Sequence, residues 1–254
     1  MGAASAAANP TLGKTSDRSA TKRDAAATGA RGMPADYRPT GAPGKEAISR
    51  AHMRIIGGTY RSRPLRAPRG SATRPTSDRV REALFGILES GGVVERARVL
   101  DLYAGSGALA LEALSRGASR AALVESGRDA IAAIRHNVAA LGLGASADVI
   151  TADVGRAWSR VAPLAPFDLV FADPPWSLVD TGDASRDLAW LSTCPALAES
   201  AWVILEHSRR TPAPSVTGLI FRETRDYGDT ALTFYKPAIL GPPRTAVPAG
   251  PPSD

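Results

Sequence analysis

The stretch Arg98-Val-Leu-Asp-Leu-Tyr-Ala-Gly-Ser-Gly-Ala-Leu-Ala-Leu-Glu-Ala-Leu-Ser-Arg-Gly117 restricts the fold more than any other. It reads as a short apolar strand, a glycine turn, and a helix closed by Gly117, a residue suited to the end of a helix. Gly105, Gly107 and Ala110 fit the pattern G-x-G-x-x-[GA]. Between a strand and a helix, that pattern marks the first unit of an open α/β sheet. An apolar strand of this kind is covered on both faces, so it demands parallel neighbours and helices above and below.

The rest of the chain supplies them. Ala121–Glu125, Ala147–Asp153, Leu169–Ala172 and Ala201–Glu206 read as further strands. Helices are expected at Arg128–Leu141, closed by Gly142, at Val154–Val161, and over residues 183–198. Leu219–Glu223 and Ala231–Tyr235 read as the last two strands, separated by Asp226-Tyr-Gly-Asp229. The alternation predicts a Rossmann-like α/β fold with a mostly parallel sheet and helices on both faces.

Ligands of such sheets lie at the carboxyl ends of the strands. Four successive strands here end near an acid: Asp101, Glu125, Asp153 and Asp173. A carboxylate at Asp101, just before the turn Ala104-Gly105-Ser106-Gly107, would repel a pyrophosphate. It suits a ligand with an ammonium group and no phosphate, such as S-adenosylmethionine. Glu125, 20 residues past Gly105, is placed to accept ribose hydroxyls. Asp153 is placed to accept from the adenine amine.

Phe167-Asp-Leu-Val-Phe-Ala-Asp-Pro-Pro-Trp176 reads as a buried strand that delivers Asp173 to a stiff loop. Pro174 and Pro175 lack an N–H but keep free carbonyls, and Trp176 offers a flat ring. This set suits chemistry on an exocyclic amine of a planar base. A carboxylate and a carbonyl accept its two N–H bonds, and the ring stacks on the base.

A net charge of +6 and a pI near 9.9 favour an anionic partner, nucleic acid first. The basic residues are almost all arginine, with lysine at 14, 22, 45 and 236 alone. Met53-Arg-Ile-Ile-Gly-Gly58 and Arg61-Ser-Arg-Pro-Leu-Arg-Ala67 read as a short hairpin. Eight arginines and one acid, Asp78, fall between residues 54 and 81. Arg54, Arg61, Arg63, Arg66, Arg69 and Arg74 are the candidates for phosphate contact. A helix is expected to begin after Thr76-Ser77.

Residues 1–50 are poor in large apolar residues and read as a disordered basic tail. Their acid-free first 16 residues also suit an organelle transit peptide. Residues 237–254 read as a Pro-rich disordered tail, leaving 53–236 as the working domain, with an Arg-rich arm (53–72) and a core (73–236). One cysteine, Cys194, and three scattered histidines give no disulfide and no metal-ligand spacing. No apolar run nears the roughly 20 residues of a membrane span. A soluble, cytoplasmic monomer without a metal is expected.

Four blocks carry a family resemblance: Met53–Gly58, Arg74-Pro-Thr-Ser-Asp-Arg-Val-Arg-Glu-Ala-Leu-Phe85, Asp101–Arg116 and Asp173-Pro-Pro-Trp176. Together they resemble the RsmD family within the class I S-adenosylmethionine-dependent methyltransferases. That family comprises (guanine-N2)-methyltransferases of 16S ribosomal RNA. The first two blocks are the family-specific ones, and the resemblance spans about residues 53–236. It implies a seven-stranded sheet with a reversed last strand and a small N-terminal hairpin extension. It implies cofactor contacts at Asp101, Gly105, Gly107, Glu125 and Asp153, and a guanine held against Asp173, Pro174 and Trp176. Its partner would be ribosomal RNA or the assembling small subunit. Phe or Tyr is commoner at position 176, so Trp176 implies a wider base pocket. Asp-Pro-Pro-Trp serves an N6-adenine methyltransferase equally well, and a non-catalytic nucleic-acid-binding protein on the same fold is a further alternative.

Overall fold

The computed structural model describes residues 53–69, 77–193 and 196–238. They all belong to one structural unit, Arg50–Asp254. The expectations for the two tails, for Arg74 and for Cys194 lie outside the described residues, save that the C-terminal region is described as far as Ala238.

The elements alternate as expected: α1 (Asp78–Ser90), β1 (Arg98–Leu102), α2 (Ala108–Ser115), β2 (Arg120–Glu125), α3 (Arg128–Leu141), β3 (Ala147–Thr151), α4 (Trp158–Val161), β4 (Phe167–Ala172), α5 (Trp176–Asp180), α6 (Asp183–Thr193), β5 (Leu197–Ser208), β6 (Leu219–Tyr227) and β7 (Thr230–Pro237). The seven strands form one sheet in the order β3-β2-β1-β4-β5-β7-β6. β1 to β5 are parallel, and β7, last in the chain, runs antiparallel between β5 and β6.

Strand alternation divides the core in two. Val99 of β1 with Leu169 and Phe171 of β4 packs under α1, α2 and α3. Leu100 and Leu102 with Val170 and Ala172 pack against α4, α5 and α6. Phe85 of α1 meets Phe171 with ring centroids 5.7 Å apart. Both are fully buried, so Phe85→Ala would cost about 3–5 kcal/mol. Asp101 shares the face of Val99, which turns its carboxyl toward α2.

Helix ends follow local chemistry. Ser77 caps α1, its hydroxyl accepting the Val80 N–H at 3.3 Å. α3 stops at Gly142, which takes φ +70°. Four expectations need correction. The helix expected over 183–198 ends at Thr193, and β5 already begins at Leu197. The expected helix over 154–161 is a 3-10 turn at Val154–Arg156 followed by the four-residue α4. The turn between the last strands is only Gly228-Asp229, so β6 and β7 are longer than expected. The Asp-Pro-Pro loop runs directly into α5, a helix the sequence reading did not anticipate.

The arm is a short hairpin, as expected: Arg54 bridges Pro64, the Ile55 N–H donates to the Arg63 carbonyl at 2.9 Å, and the Leu65 N–H donates to the Met53 carbonyl at 2.8 Å. Its stronger attachments are to α2. The Ile56 and Gly57 N–H groups donate to the Glu112 carboxylate at 2.8 and 2.7 Å. The Thr59 and Tyr60 N–H groups donate to the Ser115 carbonyl and hydroxyl at 2.8 and 2.9 Å. Gly58 holds φ +73°, and a Cβ there would sit 1.9 Å from the Ser115 carbonyl oxygen. Only glycine permits that approach.

Candidate active site

Across the carboxyl edge of the sheet, the strand order sets out one line of chemistry. Asp153 follows β3, Glu125 ends β2, the glycine turn follows β1, and Asp173 follows β4. These are the residues expected to converge there, and the sheet brings them to one edge.

The glycine turn is built without room to spare. Gly107 takes φ +79° at the start of α2, and a Cβ would stand 2.9 Å from Leu123. Ala104 and Ser106 are buried and Gly105 is half-buried. The Ala104 N–H donates to the Val124 carbonyl at 3.1 Å. Glu125 reaches across to the turn: its carboxylate accepts the Gly105 N–H at 2.8 Å. It also accepts the N–H groups of Ser126 and Gly127, at 2.8 and 2.7 Å. These three bonds hold its orientation. Asp153 is exposed.

Asp101 is 1% exposed. Its one hydrogen bond among the described residues comes from the Ala110 N–H in the first turn of α2, at 3.1 Å. Burial pushes its pKa up to about 8, and the charges of Asp173 and Glu125 push the same way, against the Ala110 N–H. A buried carboxylate among like charges calls for a cation. The ammonium of a cofactor fits that requirement, and an anionic pyrophosphate does not.

Asp173 is half-buried, and its N–H lies 3.4 Å from the Leu102 carbonyl, so β1 holds the end of β4. Pro174 is buried and Pro175 exposed. Trp176 is half-buried as the first residue of α5. Tyr103, between β1 and the glycine turn, takes φ +59°, and its hydroxyl donates to Asp187 of α6. Burial, then that hydrogen bond, raises its pKa far above the ordinary tyrosine value.

The arginines of the arm do not form one uniform surface. Arg61, Arg66 and Arg69 are exposed. Arg54 is exposed but pairs with Asp78 at 3.5 Å. The exposed Arg63 donates to the Ala140 carbonyl near the end of α3 at 2.9 Å. The turn that carries Arg61 rests on Ser115, the last residue of α2, and so lies toward the amino edge of the sheet. Arg81, counted with the basic stretch, is a correction: it is fully buried in α1. Its guanidinium donates to the Arg54 carbonyl at 2.6 Å and to Asp78 at 2.9 Å, and lies 3.8 Å from Glu112.

Two groups escaped the sequence reading. Arg81, Glu112 and Arg116 form a buried ionic cluster under the arm, with Arg116 2.8 Å from Glu112 and 2.7 Å from Glu89. The i, i+4 spacing of Glu112 and Arg116 is visible in sequence, but reads there as a surface pair. Asn137 of α3 is 1% exposed. Its side chain accepts the Arg66 N–H at 2.7 Å and donates to the Arg66 and Ser106 carbonyls at 3.0 and 2.9 Å. It thereby ties the arm to the glycine turn, and nothing in its sequence context signalled this.

Among the described residues, no helix is long and apolar enough to cross a membrane. A family model described as "Conserved hypothetical protein 95" matches residues 53–236. The ribosomal RNA small subunit methyltransferase D of Escherichia coli K12 is 39% identical over 167 residues, covering 65% of this chain and 79% of that relative. The protein of the same name from Buchnera aphidicola of Acyrthosiphon pisum is 30% identical, covering 61% and 78%. A solved hypothetical protein from Thermus thermophilus is 32% identical with a TM-score of 0.62, covering 72% of this chain and 99% of that one.

Proposed function

Because the chain belongs to the "Conserved hypothetical protein 95" family, the RsmD methyltransferases that its sequence resembles, we propose that it methylates the exocyclic N2 amine of a guanine in small-subunit ribosomal RNA. S-adenosylmethionine supplies the methyl, already electrophilic on its sulfonium. The observation that carries the reading is that Asp101 and Asp173 stand at the carboxyl ends of adjacent strands, β1 and β4, close enough for the Asp173 charge to raise the Asp101 pKa. One serves a cationic cofactor and the other a base.

Asp101 and the glycine turn hold the cofactor, with Glu125 and Asp153 toward its nucleoside. Asp173 and the Pro174 carbonyl accept the two amine hydrogens and aim the nitrogen. Trp176 stacks on the base after it leaves its helix. Because the methyl donor needs no further activation, position and exclusion of water are the main contributions of the protein. Asp173 takes the surplus proton as nitrogen gains its new bond. The ribosomal substrate is supported by the named relatives, and the guanine N2 position by the Met53–Gly58 and Arg74–Phe85 blocks of the family resemblance.

The test is transfer of labelled methyl to small-subunit ribosomal RNA, and to subunits lacking earlier modification, followed by nucleoside analysis. Label in N2-methylguanosine is expected. Label in N6-methyladenosine would keep the site and overturn the base. Asp173→Ala should lower transfer by about a hundredfold or more while cofactor affinity holds.

A further inference from the structure

The carboxyl edge has a second half that this reading leaves unassigned. Strand order places β3, β2 and β1 on the cofactor side of Asp173, and β5 on its other side. The cofactor side is acidic, through Asp153, Glu125 and Asp101. A phosphodiester backbone next to the target base finds no such row of acids over β5. The first residues past β5 are Arg209 and Arg210, both exposed.

Their position follows from register. Ala172 of β4 pairs with Leu205 of β5. β5 runs three residues past that pair, to Ser208, so Arg209 and Arg210 lie beyond the end of β4 at the same edge of the sheet as Asp173. The loop also touches the helix that Trp176 begins: the Thr211 hydroxyl donates to Asp180 of α5 at 2.8 Å. Its backbone is held on every side. The Arg209 N–H donates to the Asp229 carbonyl at 2.9 Å, the Arg210 N–H to the Ser208 hydroxyl at 3.2 Å, and the Thr211 N–H to the Ser208 carbonyl at 3.0 Å.

Among the described residues, neither guanidinium has a carboxylate partner. Arg54, Arg81, Arg116, Arg120, Arg186 and Arg225 all do. A fixed loop carrying two adjacent exposed arginines outside any ion pair among the described residues, at the edge that holds Asp173, suits phosphate recognition.

We propose that Arg209 and Arg210 bind the RNA backbone next to the flipped nucleotide, as a phosphate contact separate from that of the arm. The inference rests on the RNA reading above. The turn of the arm, toward the amino edge at the ends of α2 and α3, meets RNA farther from the base site. The Arg209–Arg210 loop fixes the strand on the β5 side, where the target nucleotide is turned out.

The experiment measures binding of unmodified small-subunit ribosomal RNA by the full chain across a salt series, with cofactor affinity measured in parallel. Arg209→Ala/Arg210→Ala should leave cofactor affinity and melting temperature unchanged. It should flatten the slope of log K against log salt by about 1.4, two phosphates at ~0.7 each. The KM for RNA should rise with little change in kcat. Arg209→Lys/Arg210→Lys should retain most of the slope. A wild-type slope and affinity in the alanine double variant would overturn the proposal while leaving the RNA reading intact. Absence of salt-dependent RNA binding by the wild-type chain would remove both.

Discussion

Two regions of the same strand–turn–helix unit each bury a carboxylate, and they treat it in opposite ways. At the amino-edge side, Glu112 is fully buried but accepts two backbone N–H groups of the arm and the Arg116 guanidinium, with Arg81 close by. At the carboxyl edge, Asp101 is as deeply buried, with one N–H donor and two like charges as neighbours. Charge is settled within the protein around Glu112 and left unsettled around Asp101. The first condition makes a scaffold and the second makes a place for a cationic ligand.

The comparison can be broken at its strongest point. Glu112→Ala leaves Arg81 and Arg116 without their shared partner, and Arg81 already has Nε and Nη1 unsatisfied. A loss of about 3–5 kcal/mol is expected from denaturant unfolding. A loss below ~1 kcal/mol would show that the cluster is not what fastens the arm.

Asp101→Asn sharpens the contrast from the other side. Cofactor affinity should fall by about 2 kcal/mol or more, roughly 30-fold, in calorimetry, with no loss of fold stability at pH 7. Its pKa in the folded, ligand-free protein is raised from 3.8 to about 8. Between those limits the folded state binds more protons than the unfolded chain, so stability falls as pH rises from 4 to 8. Asn at this position should flatten that dependence in a series of melts. The ionised form is the one that pairs with an ammonium, so cofactor affinity should climb over the same range.

A third carboxylate marks the lower bound. Asp148 and Arg120 form an exposed bidentate pair with bonds of 2.6 and 3.0 Å, linking neighbouring strands β2 and β3. Arg120→Ala should cost less than about 1 kcal/mol, and less still at high salt.

The same contrast explains what was legible in the sequence. β1, β2 and β4 announce themselves because strands buried on both faces are continuous apolar runs. Asp101, Glu125 and Asp173 were readable because they interrupt such runs at their ends. Glu112 was not, because a glutamate four residues before an arginine looks the same on a buried helix as on an exposed one. β5 was expected to start at Ala201, where the apolar run begins; the polar Glu199 and Ser200, exposed in the structure, already belong to the strand by backbone. The arm is the short hairpin expected, with its own cross-strand bonds, but the long-range bonds to α2 and Asn137 that fasten it were not readable. Local propensity carries no trace of a partner so far away in the chain.

The attachment of the arm is made almost wholly through its backbone. Ile56, Gly57, Thr59, Tyr60 and Arg66 are fastened by N–H groups or carbonyls, and Gly57 and Gly58 are needed for their lack of a side chain. Mounting therefore uses the backbone of these residues and leaves their side chains free. Arg61, Arg66 and Arg69 can be exchanged for other side chains without loosening the mount. A lineage or an engineer can change what the arm presents to solvent while the arm stays in place, and variation should accumulate at these arginines before it reaches the glycines between them.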